Sequence, residues 1–343
     1  MSMSYGGDTI QDTDGGVLRP ISSVMRNRII NGAMVIDQRN AGASVSTASG
    51  STYSLDRWYG AASVTSKYTM QQNAGSVTPP VGFTNYLGVT SSSAYSSGSG
   101  DKLAIAQFIE GYNTSDLNWG TANAKTVTLS AWVYSSLTGT FGGAISNYAN
   151  TRSYPFTYTI SSANTWTQIS VTIVGDTSGS WTGASNTGSI DVWFNLGCGT
   201  SASGTAGSWA SADYRNATGS VAVTGTSGAT WYITGVQLEV GSQATGFEYR
   251  QYQQELALCQ RYYFKSDMGN QGYKLGSLYN TSLTRAFIQY DFHVTMRSIP
   301  TVSYTIGAGS INTEYLSTDF AQLYMNVDVS TTNITAFSAS SEL

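Results

Sequence analysis

Apolar and polar residues alternate with a period of two through most of the chain. Val127, Leu129, Ala131 and Val133 alternate with Thr128, Ser130, Trp132 and Tyr134. Tyr154, Phe156, Tyr158 and Ile160 form a second apolar row, and Ile169, Val171 and Ile173 a third. Ile190, Val192, Phe194 and Leu196 alternate with outward Asp191, Trp193 and Asn195. This period places successive side chains on opposite faces of a strand. Residues 102–110 read as one more strand, rich in alanine. Gly, Ser and Asn turns separate these segments and no helical run interrupts them, which predicts an all-β, antiparallel jelly-roll sandwich.

The pattern changes once. Residues 230–240 read as the closing strand, with Tyr232, Val236, Leu238 and Val240 on one face and Gln237 and Glu239 on the other. Residues 247–250 then pack the exit against it. Residues 255–261, Glu-Leu-Ala-Leu-Cys-Gln-Arg, lack Gly, Pro and β-branched residues and carry the chain's one helical signal. Leu256, Cys259 and Tyr263 fall at helical spacing, and the expectation is that they meet sister copies around a three-fold axis. Beyond them Ile288, Tyr290, Phe292, Val294 and Met296 alternate along residues 284–297, and further strands follow near 302–306, 322–329 and 334–337.

The predicted organisation is an N-terminal attachment arm at 1–35, a jelly roll at 36–250, a helical connector at 251–266 and a small C-terminal β-sandwich at 267–343. The arm carries turn chemistry and little to bury, so it needs a surface to dock on. The Gly/Ser-rich stretches 91–100 and 197–207 read as long surface loops.

Composition narrows the function. Charged residues make up 10% of the chain, against about 25% in an average globular protein. A formal net charge of −4 argues against a nucleic-acid surface. The modest basic group Arg19, Arg26 and Arg28 reads as a solvated arm. No apolar run is long enough to span a bilayer, and the first residues lack the form of a secretory signal. Cys198 and Cys259 are read as free residues of a protein made in a reducing cytosol.

Catalytic constellations are scarce, and the expectation is a protein that is not an enzyme. His293, the sole histidine, sits on an outward strand position beside charged neighbours. Glu110, Asp116, Asp176, Asp191, Asp213 and Glu239 are the acids that could pair for glycoside hydrolysis, but they are sparse. Asp8, Asp12 and Asp14 space like an oxygen-ligand loop without the Glu that would complete it, so no metal and no cofactor is expected. Neutral sugar is the better match, because it takes aromatic faces ringed by amides and hydroxyls. Trp132 with Tyr134, and Trp193 with Asp191 and Asn195, offer this on strand faces. Trp119, Trp181 and Trp209 offer it from loops.

Several long phrases add a resemblance. Residues 27–40, 53–59, 109–129, 232–241, 247–250 and 255–263, with a looser continuation at 292–301, resemble bacteriophage tail fibres or receptor-binding virion proteins. The main domain of that family is similar to the jelly rolls of carbohydrate-binding modules. The resemblance implies a homotrimeric virion component, a short fibre or spike joined to another virion protein through residues 1–35. It would bind bacterial surface polysaccharide or lipopolysaccharide, without nucleic acid or membrane insertion. The alternative is a capsid head fibre or decoration protein that binds no sugar. No functional residue is carried over by the resemblance.

Overall fold

A computed structural model of the chain describes residues 25–266, 285–306, 311–326 and 333–343, together with the short strands Ser4–Gly6, Thr9–Gln11, Val17–Leu18 and Tyr273–Lys274. The period-two segments form twelve strands of one sandwich: β1 Val45–Ser46, β2 Gly50–Tyr53, β3 Tyr59–Ala62, β4 Tyr68–Gln72, β5 Leu87–Ser91, β6 Leu103–Glu110, β7 Val127–Ser135, β8 Gly139–Asn147, β9 Ser153–Ile160, β10 Thr167–Ile173, β11 Gly188–Asn195 and β12 Thr230–Val240. The first sheet has the order β10-β7-β12-β5-β4-β1 and the second β9-β8-β11-β6-β3-β2. Every pairing within them is antiparallel. Successive strands pass back and forth between the sheets, as in a jelly roll.

The predicted inward rows meet in one core. Val127, Leu129 and Val133 face Ile145, Val192 and Phe194 across it, with Trp58 and Trp231 fully buried among them. β11 shifts register against β6 between Gly188 and Ile190, and β12 shifts against β7 in mid-strand. There Ser130 pairs with Gln237 and Trp132 with Thr234, so two residues of β12 oppose Ala131 alone. The extra residue is a bulge seated on Gly235 at φ +62°, the left-handed conformation that costs glycine least. It flips the strand's faces. Trp231 and Ile233 point inward before it and Val236 and Leu238 after it, while Tyr232 points outward, the reverse of its predicted side.

Residues 25–36 belong to the sandwich, which corrects the predicted start at residue 36. Ile29 and Met34 lie in the core, and Asn27 holds the segment along β12 through the Val236 carbonyl (3.0 Å) and the Leu238 N–H (3.1 Å). Arg26 and Arg28 are no solvated arm: Arg28 pairs with Asp116 (2.8 Å) and Arg26 lies 3.7 Å from Glu239. Arg19, Asp8, Asp12 and Asp14 lie outside the described residues.

The helix α1 spans Tyr252–Gln260, a turn shorter than predicted at its C-terminal end, because β13 Tyr263–Ser266 begins where the chain is captured by the second β unit. That unit comprises β14 Arg285–Asp291, β15 Thr301–Ile306, β16 Ile311–Leu316, β17 Phe320–Asn326 and β18 Asn333–Ser340. One sheet centres on β18, which pairs with β13, Tyr273–Lys274 and β15; the other has the order β14-β17-β16. The long strand predicted over 284–297 ends at Asp291, where Phe292 turns in to donate to the Asp319 carbonyl (2.8 Å). Phe264, Phe292, Leu323, Ile334 and Phe337 fill its own core. Among the described residues no helix is long and apolar enough to cross a membrane.

The two β units are joined by buried charge. Arg57, fully buried, pairs with Glu342 and lies 3.6 Å over the Tyr262 ring; Arg39 meets Glu342 at 2.8 Å. Glu110 accepts from Arg261 Nε (3.0 Å) and Nη2 (2.6 Å) and from the Tyr262 hydroxyl (2.6 Å).

Candidate functional site

The outer face of the first sheet carries the aromatic surface. Outward positions of β7 supply Ser130, Trp132 and Tyr134, and Gln168 comes from β10 beside them. Two loops then fold onto the sheet. The segment after β12 doubles back because outward Gln237 and Glu239 hold it: Gln237 Oε1 accepts from the Glu248 N–H (2.8 Å), and Glu239 from the Thr245 N–H (2.8 Å) and hydroxyl (2.7 Å). This sets Phe247 and Tyr249 over the sheet. The loop after β4 delivers Phe83, whose ring centroid lies 5.1 Å from Phe247 and 5.5 Å from Tyr249.

These rings and Trp132 bound a cleft of about 160 Å³. Gly235 forms part of its floor. A Cβ there would stand 2.6 Å from the Phe83 ring and 3.2 Å from the Trp132 indole, so the bulge glycine is also what lets the two rings approach. Trp132, Phe83 and Phe247 are half-buried and Tyr249 is 59% exposed. Immediately along the sheet, Tyr134 stacks on Tyr232 (5.2 Å, 5° between planes), Tyr232 on Tyr86 (5.1 Å), and Trp166 closes on both Tyr86 and Tyr134 (5.5 and 5.4 Å). Burial raises the Tyr86, Tyr232 and Tyr249 phenols above their ordinary value, so they stay neutral. No carboxyl, amine, guanidinium or imidazole lines the cleft. Apolar ring faces flanked by Ser130, Gln168 and Thr245 can hold a flat, uncharged, hydroxylated molecule by stacking and hydrogen bonding.

Of the residues named from sequence, Trp132 and Tyr134 are at this site. Asp191, Trp193 and Asn195 do point out from the second sheet, but they are buried and present no surface to a ligand. The loop between β11 and β12 lies over them: Arg215 packs its guanidinium 3.8 Å from the Trp193 ring, and Asn195 is consumed by the Val221 carbonyl and the Gly197 and Cys198 N–H groups. Strand parity assigned the face correctly and could not foresee the cover. Asp191 has no hydrogen-bond partner for either oxygen, and burial pushes its carboxyl well above the ordinary value.

Trp209 stands apart from both faces, in a cluster with Trp119 (5.3 Å), Trp181 (5.4 Å) and Tyr154 (5.3 Å) at one end of the sandwich. The expected oligomer contact is also corrected. Cys259 is fully buried within its own chain against Ile30, Ile36 and Tyr262, with Leu256 packed beside it, while Tyr263 has left the helix for β13 and lies under Arg39 (3.7 Å). Among the acids, Asp176 is clamped by Arg152 through two 2.7 Å bonds and Asp213 by Arg215. With Glu110, Asp116 and Glu239 engaged as above, Asp191 alone of the six has no hydrogen-bond partner among the described residues. His293 is exposed, edge-on to Phe264. Both cysteines are free thiols.

Phe83, Phe247, Tyr249 and Trp166 were not legible as site residues. Their only signal is that large aromatics stand in Gly/Pro/Thr-rich loops, where little local structure exists to bury them.

No protein-family model matches the chain, and no curated protein matches it. Solved structures similar to it include the enzymatically active domain of tailspike protein 4 of bacteriophage CBA120, at 11% identity over 63% of this chain with a TM-score of 0.32; the match spans 22% of that protein's length. A family 11 carbohydrate-binding module of Clostridium thermocellum, solved with a β-1,3-1,4-mixed-linked tetrasaccharide, matches 58% of this chain and all of its own at 9% identity, TM-score 0.28. The N-terminal cellulose-binding domain of Cellulomonas fimi β-1,4-glucanase C matches 48% of this chain and 82% of its own at 13% identity, TM-score 0.22. At scores this low, the jelly-roll assignment rests on the strand order and core described above.

Proposed function

We propose that this protein is a bacteriophage receptor-binding component, a short tail fibre or spike, that holds neutral glycan of the bacterial surface on the outer face of its first sheet. The observation that carries the reading is the uncharged aromatic cleft of Trp132, Phe83, Phe247 and Tyr249. Trp132, Phe83 and Phe247 are half-buried and Tyr249 is largely exposed, so part of this aromatic surface meets solvent. The phrases that resemble those of phage virion proteins support the particle as its place and a homotrimer as its assembly, with the first residues as the join to another virion protein. Binding without hydrolysis fits the acids, five of which hold the fold together.

The test is adsorption of the purified, fluorescently labelled protein to bacterial cells, competed by their extracted surface polysaccharide. Saturable adsorption, abolished by that polysaccharide and weakened at least tenfold by Trp132→Ala, is the expected result; a loss of about 1.4 kcal/mol gives that factor. Adsorption to no cell or polysaccharide would overturn the reading in favour of a purely structural particle component.

A further inference from the structure

At the end of the sandwich, three separate loops bring Trp119, Trp181 and Trp209 together edge to face, with 75–84° between planes. Each indole N–H donates to a main-chain carbonyl: Trp119 to Lys125 (2.7 Å), Trp181 to Ser178 (3.2 Å), Trp209 to Val174 (2.8 Å). The polar edges are therefore spent on the loops, and what the rings have left to offer is their faces. Trp119 is nearly buried and seals the core, whereas Trp181 is half-exposed.

Beside these two rings lies a recess of about 190 Å³, with Ser115, Asn118 and Thr182 along its wall and no ionisable residue in its lining. Thr182 donates to the Gly188 carbonyl (2.8 Å). The Ser115 hydroxyl and the exposed Asn118 amide make no side-chain hydrogen bond among the described residues. Asn118 sits at φ +54°, a conformation asparagine tolerates better than most side chains. The recess has the volume of about six waters, which suits one six-membered ring with its hydroxyls.

We propose that this recess is a second sugar subsite, distinct from the sheet face. It takes a single neutral sugar ring with its C–H face on Trp181 and its hydroxyls on Asn118 and Ser115. The ligand class rests on the reading of the chain as a sugar binder; the place rests on the geometry of the recess. Two sites on one chain would let a polysaccharide engage both, and a trimer would multiply that by effective concentration.

The experiment uses the full chain carrying 5-fluorotryptophan at its eight tryptophans, titrated with the methyl glycosides of glucose, galactose, mannose, rhamnose and N-acetylglucosamine and followed by fluorine NMR. At least one glycoside should shift the Trp181 resonance saturably. Asn118→Ala, at an exposed position outside the core, should weaken that response at least tenfold and leave any Trp132 response unchanged. Trp132→Ala should do the converse. No Trp181 shift with any glycoside, or a Trp181 shift that survives Asn118→Ala undiminished, overturns the subsite. A Trp181 response with a silent Trp132 would sink the sheet-face reading and leave this one standing.

Discussion

Asp191 displays how far a single residue can be read from sequence. Its alternation with Ile190 and Val192 put it on the outward face of β11, which is correct, and the neighbours Trp193 and Asn195 made it resemble a sugar contact. Parity specifies a face but carries no information on a loop that arrives from residues 197–220 to cover it. The consequence is a buried carboxyl held well above its ordinary value of 3.8, chiefly by desolvation, with Arg215 partly opposing this and Asp213 adding to it. For an acid whose folded value is raised, the contribution to stability is full below the unfolded value and is lost as pH rises beyond it. Asp191→Asn removes that loss. In urea denaturation the variant should gain stability relative to the parent on going from about pH 4 to about pH 7. Asp56, buried and raised to about 7, contributes the same slope to both proteins, so the difference isolates Asp191. A difference that does not change with pH would contradict a buried, strained carboxyl. Trp132 makes the complementary point: parity placed it outward too, and there the covering loops stop short.

At the scale of elements, strands were legible because period-two alternation with β-branched and aromatic residues has few other solutions. The bulge in β12 was not, because a single glycine inside an apolar strand announces neither its φ nor its partner across the ladder. Gly235 matters twice, for the left-handed turn that flips Tyr232 outward and for the space between Phe83 and Trp132. Gly235→Ala should destabilise the fold by about 1–3 kcal/mol and weaken glycan binding together, read by denaturation and by polysaccharide binding. Unchanged binding in a folded variant would separate the bulge from the cleft. The helix was foreseen for the right reason, a run of good helix formers, but its apolar residues serve its own chain. Its hand-over to β13 is fixed by Glu110, which is 1% exposed and bonded to Arg261 and Tyr262. Glu110→Ala would strand both donors and should cost about 2–4 kcal/mol, measured as the shift in urea midpoint; less than 0.5 kcal/mol, within the usual range of ~0.5 kcal/mol for surface changes, would contradict that role.

For the whole molecule, the sandwich and the C-terminal unit have separate cores, and between them lie a small apolar cluster of Ile30, Ile36, Cys259 and Tyr262 and a set of buried ion pairs. Arg57 is entirely buried and its charge is answered by Glu342 from the far end of the chain. Removing one partner of such a pair leaves an uncompensated buried charge, a cost of about 3–5 kcal/mol. Glu342→Ala should therefore resolve calorimetric unfolding into two transitions, the C-terminal unit melting first, where the parent melts in one. A single unshifted transition would show that the units are coupled by something else. None of this was visible in the sequence, since Arg57 and Glu342 are separated by nearly the whole chain and by no repeat or motif. The sequence did convey that a chain so poor in charge and rich in aromatics and hydroxyls presents uncharged surfaces, and the first sheet bears that out in one place.

Calorimetric titration of extracted bacterial surface polysaccharide into the parent chain and into Trp132→Ala and Tyr249→Ala tests most directly whether this aromatic face is where the protein meets neutral glycan. Each ring truncation should raise Kd about tenfold to a hundredfold, equivalent to about 1–3 kcal/mol, with folding unchanged. Equal affinity in the parent and in a folded Trp132→Ala, Tyr249→Ala double variant would contradict the claim.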